Sequence, residues 1–322
     1  MMKNFISLSG VFLLFLGLLG GLGGVDLFQF WVFLELNLAG FVVYACVEDS
    51  FKLKGGVFEY FLIQSFYSTF ALMILLHFPL MYPMSYSVMV CTLMIKLGVA
   101  PFHGWLLSLF PQFSWECIFM LSVTQKVLPL YGVSVLRSYL GLSMSNVISM
   151  GVILSVVVSV SFSLSERMLG KLMGFSSLFN QGWLLSSTRD LSILMFFLAL
   201  YGLSLGIFVL WSKSNNLKVV SMGGSSGSAA VAGGLFLGLS SLAGLPPFGL
   251  FFCKAHVLEL LISEEFFVGV FLALSSISML LMYSRVFMSE ILGGWKVSGY
   301  NGQGVGLSIL VLSLVFSCFM FI

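Results

Sequence analysis

Residues 94–105 read MIKLGVAPFHGW, and the fold of the whole chain can be worked out from this stretch. Lys96 stands five residues before Pro101, and the sequence upstream of it is mostly apolar. In a soluble protein the ammonium group of such a lysine usually reaches water along its flexible stem. The composition of the chain determines whether that is possible here.

The composition is that of a membrane protein. The chain has 322 residues, of which 59% are hydrophobic and 8% are charged, whereas a soluble domain carries about 25% charged residues. Such a chain cannot cover its surface with polar groups, so its solvent is lipid. The formal net charge of +2 comes without a basic patch, which argues against a nucleic-acid partner. The five cysteines show no CxxC spacing, so no metal or iron–sulfur site is expected.

Apolar runs of about 20 residues predict the membrane-spanning helices. Eleven are predicted, at about 4–23, 26–46, 57–78, 86–110, 114–136, 145–164, 170–187, 191–211, 226–263, 266–288 and 305–321. The ninth is too long for one span and contains Pro246-Pro247, so we expect two half-helices around a break. The expected fold is an all-α polytopic membrane protein with a single membrane domain over residues 1–322.

The positions of lysine and arginine support this count. Nine lie in loops on the side of the N-terminus: Lys3, Lys52, Lys54, Arg167, Lys171, Lys213, Lys218, Arg285 and Lys296. The opposite side carries only Arg137 and Arg189. Because positive residues accumulate on the inner side of membrane proteins, the N-terminus is predicted inside and the C-terminus outside.

Three lysines have no loop to occupy. Lys96, Lys126 and Lys254 fall inside predicted helices, as does Glu35 near the middle of the second helix. An ionised group at the bilayer centre costs about 2.5–3.5 kcal/mol, so these residues indicate a hydrated proton relay or buried ion pairs. Three lysines outnumber one glutamate, which favours the relay. His103, two turns after Lys96 if the helix continues, is a weaker candidate.

Prolines are predicted to interrupt the helices beside two of these lysines. Pro101 removes a backbone donor just past Lys96, so the fourth helix should kink or open there and let freed carbonyls and water accompany the ammonium group. Pro129 should bend the fifth helix beside Lys126.

A short echo in the sequence predicts an internal repeat. GVAPF at 98–102 and GLPPF at 244–248 share the pattern GxxPF, in the fourth and ninth helices, which cross the membrane in opposite directions. We therefore expect two inverted five-helix repeats, at 1–138 and 145–288, with a terminal helix in 305–322. Broken helices at matching places in two halves point to an ion path at the membrane midplane.

Five segments carry a resemblance to one family, the subunit 2 family of mitochondrial NADH dehydrogenase, which are antiporter-like membrane subunits of respiratory complex I. In the family's order they are FWVFLELN (30–37), IKLGVAPFHGW (95–105), VTQKVLPLY (123–131), SSLFNQGW (176–183) and LAGLPPFGLFFCK (242–254). The chain departs from the family pattern at Asn180, where histidine is usual.

The resemblance implies roles for the buried charges. Glu35 would pair with Lys96, Lys126 would link two half-channels, and Lys254 would serve the second broken helix. The implied function is proton translocation in the membrane arm of NADH:ubiquinone oxidoreductase, coupled to electron transfer from NADH to ubiquinone. The chain itself would carry no redox centre or cofactor, because NADH, FMN, iron–sulfur clusters and ubiquinone belong to other subunits.

The implied setting is the mitochondrial inner membrane, with the N-terminus in the matrix and the C-terminus in the intermembrane space. The expected partners are other membrane-arm subunits of complex I and the lipid bilayer. The 34 phenylalanines and 34 glycines, with only four threonines, suggest an organellar gene. Two alternatives stay open: a freestanding cation/proton antiporter, and a structural subunit whose buried charges only pack helices.

Overall fold

The computed structural model describes residues 2–24, 26–48, 54–77, 82–166, 168–215, 229–246 and 248–294. Regular secondary structure within these ranges is entirely helical, and six helical segments are long and apolar enough to cross a membrane. The α-helices are α1 Met2–Gly23, α2 Leu27–Glu48, α3 Lys54–His77, α4 Tyr82–Leu97, α5 Gly104–Leu109, α6 Trp115–Ser122, α7 Thr124–Ser163, α8 Leu169–Ser186, α9 Leu191–Ser214, α10 Ala229–Ala243, α11 Gly249–Glu264 and α12 Phe266–Gly294.

This architecture confirms an all-α membrane protein. The helix predicted at 305–321 lies outside the described residues, as do Pro247 and four of the nine inner-side cations: Lys52, Arg167, Lys218 and Lys296. The count of eleven spans and the two inverted repeats therefore stay predictions.

Small residues let α1 and α2 pack with their backbones in contact. A Cβ atom added to Gly40 would lie 2.6 Å from the backbone nitrogen of Leu14 and 2.8 Å from the carbonyl oxygen of Gly10. Apolar side chains gain little from leaving lipid, so close backbone approach is the main source of helix association in a membrane. The glycines of α1 and α2 are thus the basis of this pairing.

The helix α7 contains the second part of the predicted helix 114–136, the predicted loop at 137–144 and nearly all of the predicted helix 145–164. Gly132 packs against Leu93 and Gly151 against Met94, which are neighbours on α4. A straight helix would separate Gly132 from Gly151 by about 28 Å at 1.5 Å per residue, so the chain reverses direction between them. The reversal agrees with two separate membrane-spanning segments, Trp115–Tyr139 and Met144–Ser163, on either side of residues 140–143.

The predicted break in the fourth helix lies between α4 and α5. Gly98 has a φ angle of +72°, a left-handed conformation that glycine adopts without a Cβ penalty. The N–H of Gly98 donates to Ile95 O at 2.9 Å, and the N–H of Val99 donates to Met94 O at 3.1 Å. This pair of bonds is a Schellman motif, which satisfies carbonyls at the end of α4.

The break between α10 and α11 has the same geometry. Gly244 has a φ angle of +77°. Its N–H donates to Ser241 O at 3.2 Å, and the N–H of Leu245 donates to Ser240 O at 3.3 Å. The two GxxPF segments therefore end their helices with the same hydrogen-bond pattern.

A third break lies beside Lys126, at a different position from the one predicted. The interruption falls at Val123, between α6 and α7, whereas Pro129 stays inside α7. Thr124 Oγ1 donates to Met120 O at 2.8 Å across this junction. Pro129 lies in the second turn of α7, and the bend expected there stays a prediction.

The helix α8 lies at the centre of the described bundle. Every residue of α8 except Lys171 is buried, including the polar residues Ser176, Ser177, Asn180 and Gln181. It packs against α5, α7, α9, α11 and α12. A helix enclosed in this way can carry polar side chains through the membrane without exposing them to lipid.

Candidate functional site

The first predicted pair is formed between α2 and α4. Lys96 Nζ lies 3.3 Å from Glu35 Oε1, and the side chains of Lys96 and Glu35 are 7% and 28% exposed. The carbonyl oxygen of Lys96 accepts a hydrogen bond from Gln64 Nε2 at 3.2 Å. The buried ammonium group thus has a counter-charge, and one carbonyl in the last turn of α4 has a side-chain donor.

A group of neutral polar side chains lies next to this pair. Tyr60 donates its hydroxyl hydrogen bond to Gln125 Oε1 at 3.1 Å. Gln125 Nε2 donates to Asn37 Oδ1 at 3.3 Å. These bonds join α2, α3 and α7, with Asn37 two residues after Glu35 and Gln125 directly before Lys126 in the sequence.

Lys126 is bonded to neutral oxygens of α8. Its side chain is fully enclosed, and Nζ donates to Ser177 Oγ at 2.7 Å and to Ser177 O at 3.1 Å. No carboxylate of the described residues lies within ion-pair distance of this ammonium group. The helix α8 therefore solvates Lys126 in place of water.

Lys254 is bonded to the end of a broken helix. Its Nζ donates to Ala243 O, the last residue of α10, at 2.6 Å. It also lies 5.1 Å from the ring centroid of Phe179 and 5.3 Å from that of Trp183. Carbonyls at a helix C-terminus and aromatic faces both attract cations. The freed-carbonyl environment expected at Lys96 is thus found at Lys254, whereas Lys96 contacts a carboxylate.

Polar atoms without partners are concentrated between Lys126 and Lys254. Asn180 Oδ1, both polar atoms of the Gln181 side chain and the Tyr201 hydroxyl are buried without a hydrogen-bond partner among the described residues. Buried polar atoms are nearly always hydrogen-bonded to protein or to ordered water. Four such atoms on two neighbouring helices therefore indicate water molecules at this place.

Hydroxyl groups extend this polar region towards α12. The Tyr283 hydroxyl donates to Ser176 Oγ at 2.7 Å, and Ser176 is next to the Ser177 that binds Lys126. Sequence reasoning missed Tyr201 and Tyr283, because tyrosine and serine are ordinary residues in membrane helices. The signal that did exist was the run of polar residues in SSLFNQGW.

His103 lies in the turn between α4 and α5. The helix containing Lys96 ends at Leu97, so His103 does not share a helix face with it. The imidazole Nδ1 lies 3.1 Å from the carbonyl oxygen of Pro101, in the turn before α5. Its assignment to a relay stays a prediction.

No group of three or more His, Cys, Asp or Glu side chains in the described ranges is placed to hold a metal ion. The polar groups that the described site brings together are amines, hydroxyls, amides and the carboxylate of Glu35.

The chain is similar to known proteins over most of its length. Residues 70–281 match the model of a family described as "NADH:quinone oxidoreductase/Mrp antiporter, TM". NADH-ubiquinone oxidoreductase chain 2 of Artemia franciscana is 28% identical over 291 residues, covering 90% of this chain and 90% of the relative. The protein of the same name from Albinaria caerulea is 29% identical over 263 residues, covering 79% of each chain.

Two solved structures share the fold. A chain of respiratory complex I from Thermus thermophilus with bound aureothin superposes with a TM-score of 0.72 at 17% identity, covering 94% of this chain and 74% of that one. A chain of the Mrp complex from Dietzia sp. DQ12-45-1b superposes with a TM-score of 0.75 at 19% identity, covering 91% of this chain and 61% of that one.

Proposed function

Because the chain belongs to the NADH:quinone oxidoreductase/Mrp antiporter family of transmembrane proteins, we propose that it is a proton-translocating subunit in the membrane arm of an NADH:ubiquinone oxidoreductase. The relatives from Artemia franciscana and Albinaria caerulea bear that enzyme's name, and this chain matches most of the length of each. The enzyme would couple electron transfer from NADH to ubiquinone to proton pumping.

One observation supports the relay over static helix packing. Of the three enclosed lysines, only Lys96 lies within ion-pair distance of a carboxylate among the described residues, while Lys126 and Lys254 are bonded to neutral oxygens. Ion pairs that merely fasten helices would pair each charge, since an uncompensated buried charge is strongly destabilising. An ammonium group bonded to neutral oxygens can give up its proton without leaving an unpaired carboxylate behind.

The geometry supports a proton path through the bundle that could carry protons in either direction. A change in the Glu35–Lys96 contact would alter the charge facing Asn37 and Gln125, next to Lys126. The proton would then pass through Lys126 and the water-binding groups of α8 to Lys254. Asn180 cannot titrate in the working pH range, so this step falls to water and hydroxyl groups.

The proposal extends to the chain's setting. We place the chain in the mitochondrial inner membrane, with the N-terminus in the matrix and the C-terminus in the intermembrane space. Its partners would be the other membrane-arm subunits, and NADH, FMN, iron–sulfur clusters and ubiquinone would be bound elsewhere in the complex.

Replacing Lys96 with methionine tests the proposal. We expect K96M to impair NADH oxidation coupled to ubiquinone reduction and proton uptake, while oxidation of NADH by artificial acceptors stays intact. K171M is the matched control, because Lys171 forms a half-exposed pair with Glu166 at 3.7 Å. Coupled activity of K96M equal to that of K171M would contradict the role of Lys96.

A freestanding cation/proton antiporter is the second candidate, favoured by the superposition on the Mrp complex. Native electrophoresis of gently solubilised membranes separates the two. Migration of this chain with NADH-oxidising activity in a very large assembly supports the oxidoreductase subunit, and migration alone or as a small homo-oligomer supports the antiporter.

A further inference from the structure

A cluster of four charged side chains closes one end of the described bundle, and we call it the Arg–Glu cluster: Arg137, Arg189, Glu264 and Glu265. Arg137 Nη2 lies 3.8 Å from Glu265 Oε1. Arg189 forms ion pairs with both Glu264 and Glu265. Arg137 and Arg189 are the two cations that the sequence assigns to the side opposite the N-terminus.

The side chains of the cluster differ in solvent exposure, from buried arginines to an exposed glutamate. The arginine side chains are 11% and 10% exposed, Glu265 is 19% exposed and Glu264 is 61% exposed. In addition, Nε of Arg189 is buried without a hydrogen-bond partner in the described structure. Such an unpartnered donor indicates a water molecule inside the cluster. The cluster therefore joins an enclosed interior to the surface.

Three helices that hold groups of the proposed relay lead to this cluster: α7, α8 and α11. Arg137 lies on α7, eleven residues after Lys126. Arg189 follows the end of α8, and Glu264 is the last residue of α11, which carries Lys254. The cluster thus joins the end of the membrane-spanning segment Trp115–Tyr139, which carries Lys126, to the C-terminal ends of α8 and α11.

Polar residues lead to the cluster along α8 and not along α11. Beyond Lys254 the buried residues of α11 are Val257 and Leu261, which are apolar. The buried residues at the end of α8 and just after it include Ser186, Ser187 and Thr188. Arg137 Nη1 donates to Thr188 Oγ1 at 3.2 Å, which joins this polar stretch to the cluster.

We propose that Glu265 is the group through which protons leave the relay on the outer side, an inference that rests on the proposed function. A proton arriving along α8 converts the Glu265 carboxylate into a neutral carboxyl and loosens its contacts with both guanidinium groups. Transfer of that proton to water beside Glu264 restores the carboxylate and the contacts. Between these events the two arginines oppose entry of cations from outside.

The test measures proton release by the assembled enzyme in sealed vesicles. We expect E265Q to lower the number of protons released per NADH oxidised, with unchanged NADH oxidation by artificial acceptors. E166Q is the matched control, because Glu166 pairs with Lys171 at the opposite end of α8. Wild-type proton release by E265Q would overturn the proposal.

A double variant separates proton transfer from a fastening role. R137Q/E265Q restores the charge balance, because Arg189 and Glu264 stay paired. If the cluster only fastens helix ends, the double variant recovers proton release, which would overturn the proposal. If Glu265 transfers protons, the double variant assembles and stays deficient. Failure of both variants to assemble would assign the cluster to folding and also overturn it.

The lysine variants separate this inference from the proposed function. Loss of proton pumping in K96M with normal proton release in E265Q would contradict only the role of Glu265. Normal proton pumping in K96M would contradict the proposed function itself, whatever the result for E265Q.

Discussion

Two glycines hold backbone conformations that other residues adopt at a cost. Gly98 and Gly244 have φ angles of +72° and +77° at the ends of α4 and α10. The left-handed region costs a residue with a Cβ atom about 1–2 kcal/mol. We expect G98A and G244A each to destabilise the protein by about that amount, measured by thermal unfolding in detergent.

Gly104 provides the control for this prediction. A Cβ atom added there would meet nothing within 4 Å, and the residue begins α5. Since alanine favours a helix over glycine, G104A should be neutral or slightly stabilising. Unfolding temperatures of G98A and G244A that match that of G104A would show that the breaks do not need the left-handed conformation.

We expect the side-chain amide of Gln181 to contribute to proton transfer by binding water. Leucine has a similar volume but cannot bond the water that both amide atoms indicate. We expect Q181L to assemble normally and to reduce coupled turnover several-fold. L178M, a volume-conserving change at another fully buried position of α8, is the control. Equal turnover in the two variants would exclude the Gln181 amide from the path.

The sequence identifies charged residues better than neutral ones. Glu35, Lys96, Lys126 and Lys254 are conspicuous because each is costly in an apolar segment. Pairing of Glu35 with Lys96 was implied by family resemblance and is present in the structure. Ser177 and Tyr201 could not be identified in this way, because a hydroxyl group carries no such penalty and its neighbours depend on the packing of separate helices.

At the scale of an element, Asp190 caps α9 just outside the membrane span. Its Oδ1 accepts hydrogen bonds from the Ser192 N–H at 2.9 Å and the Ser192 hydroxyl at 2.7 Å. These bonds favour the carboxylate and hold the pKa of Asp190 below its ordinary value of 3.8. The stabilisation is complete above that ordinary value and is lost as the pH falls through the lower folded-state pKa.

The corresponding prediction concerns the first turn of α9. In the wild type, the protection factor of the Ser192 amide should fall as the pH falls through the lowered pKa of Asp190. The protection factor in D190N should not change in this way, because the asparagine amide oxygen accepts the hydrogen bond without titrating. D190A should exchange faster at every pH. Identical pH profiles in wild type and D190N would show that the carboxylate does not control this turn.

The helices were predictable where apolar length defines them, and the turns less so. Bounds such as Leu191–Ser214 follow from an uninterrupted apolar run, and the spans Trp115–Tyr139 and Met144–Ser163 lie close to the predicted 114–136 and 145–164. Val123 ends α6 without any breaking residue type, so only the packed structure shows that discontinuity.

At the scale of the whole molecule, charged residues lie at both ends of α9. Arg189 and Asp190 precede this 24-residue helix, and Lys213, near its last turn, pairs with Glu116. A helix of that length spans about 36 Å, enough to cross a bilayer. The Arg–Glu cluster and the Lys213–Glu116 pair are therefore expected on opposite sides of the membrane.

Thiol labelling in oriented membranes tests this arrangement. Ser192 and Ser214 are exposed at opposite ends of α9 and form a matched pair. With the exposed Cys46 replaced by serine, an impermeant reagent should label S192C from the outer side and S214C from the inner side. Labelling of both from the same side would refute the orientation.

The enclosure of α8 has a consequence for how the protein is made. This helix is not among the segments apolar enough to cross a membrane alone, while α9 directly after it is. A nascent segment carrying Asn180, Gln181 and several serines gains little by partitioning into lipid. We therefore expect α8 to stay with the insertion machinery until α9 emerges from the ribosome, so that the two enter the bilayer as a hairpin.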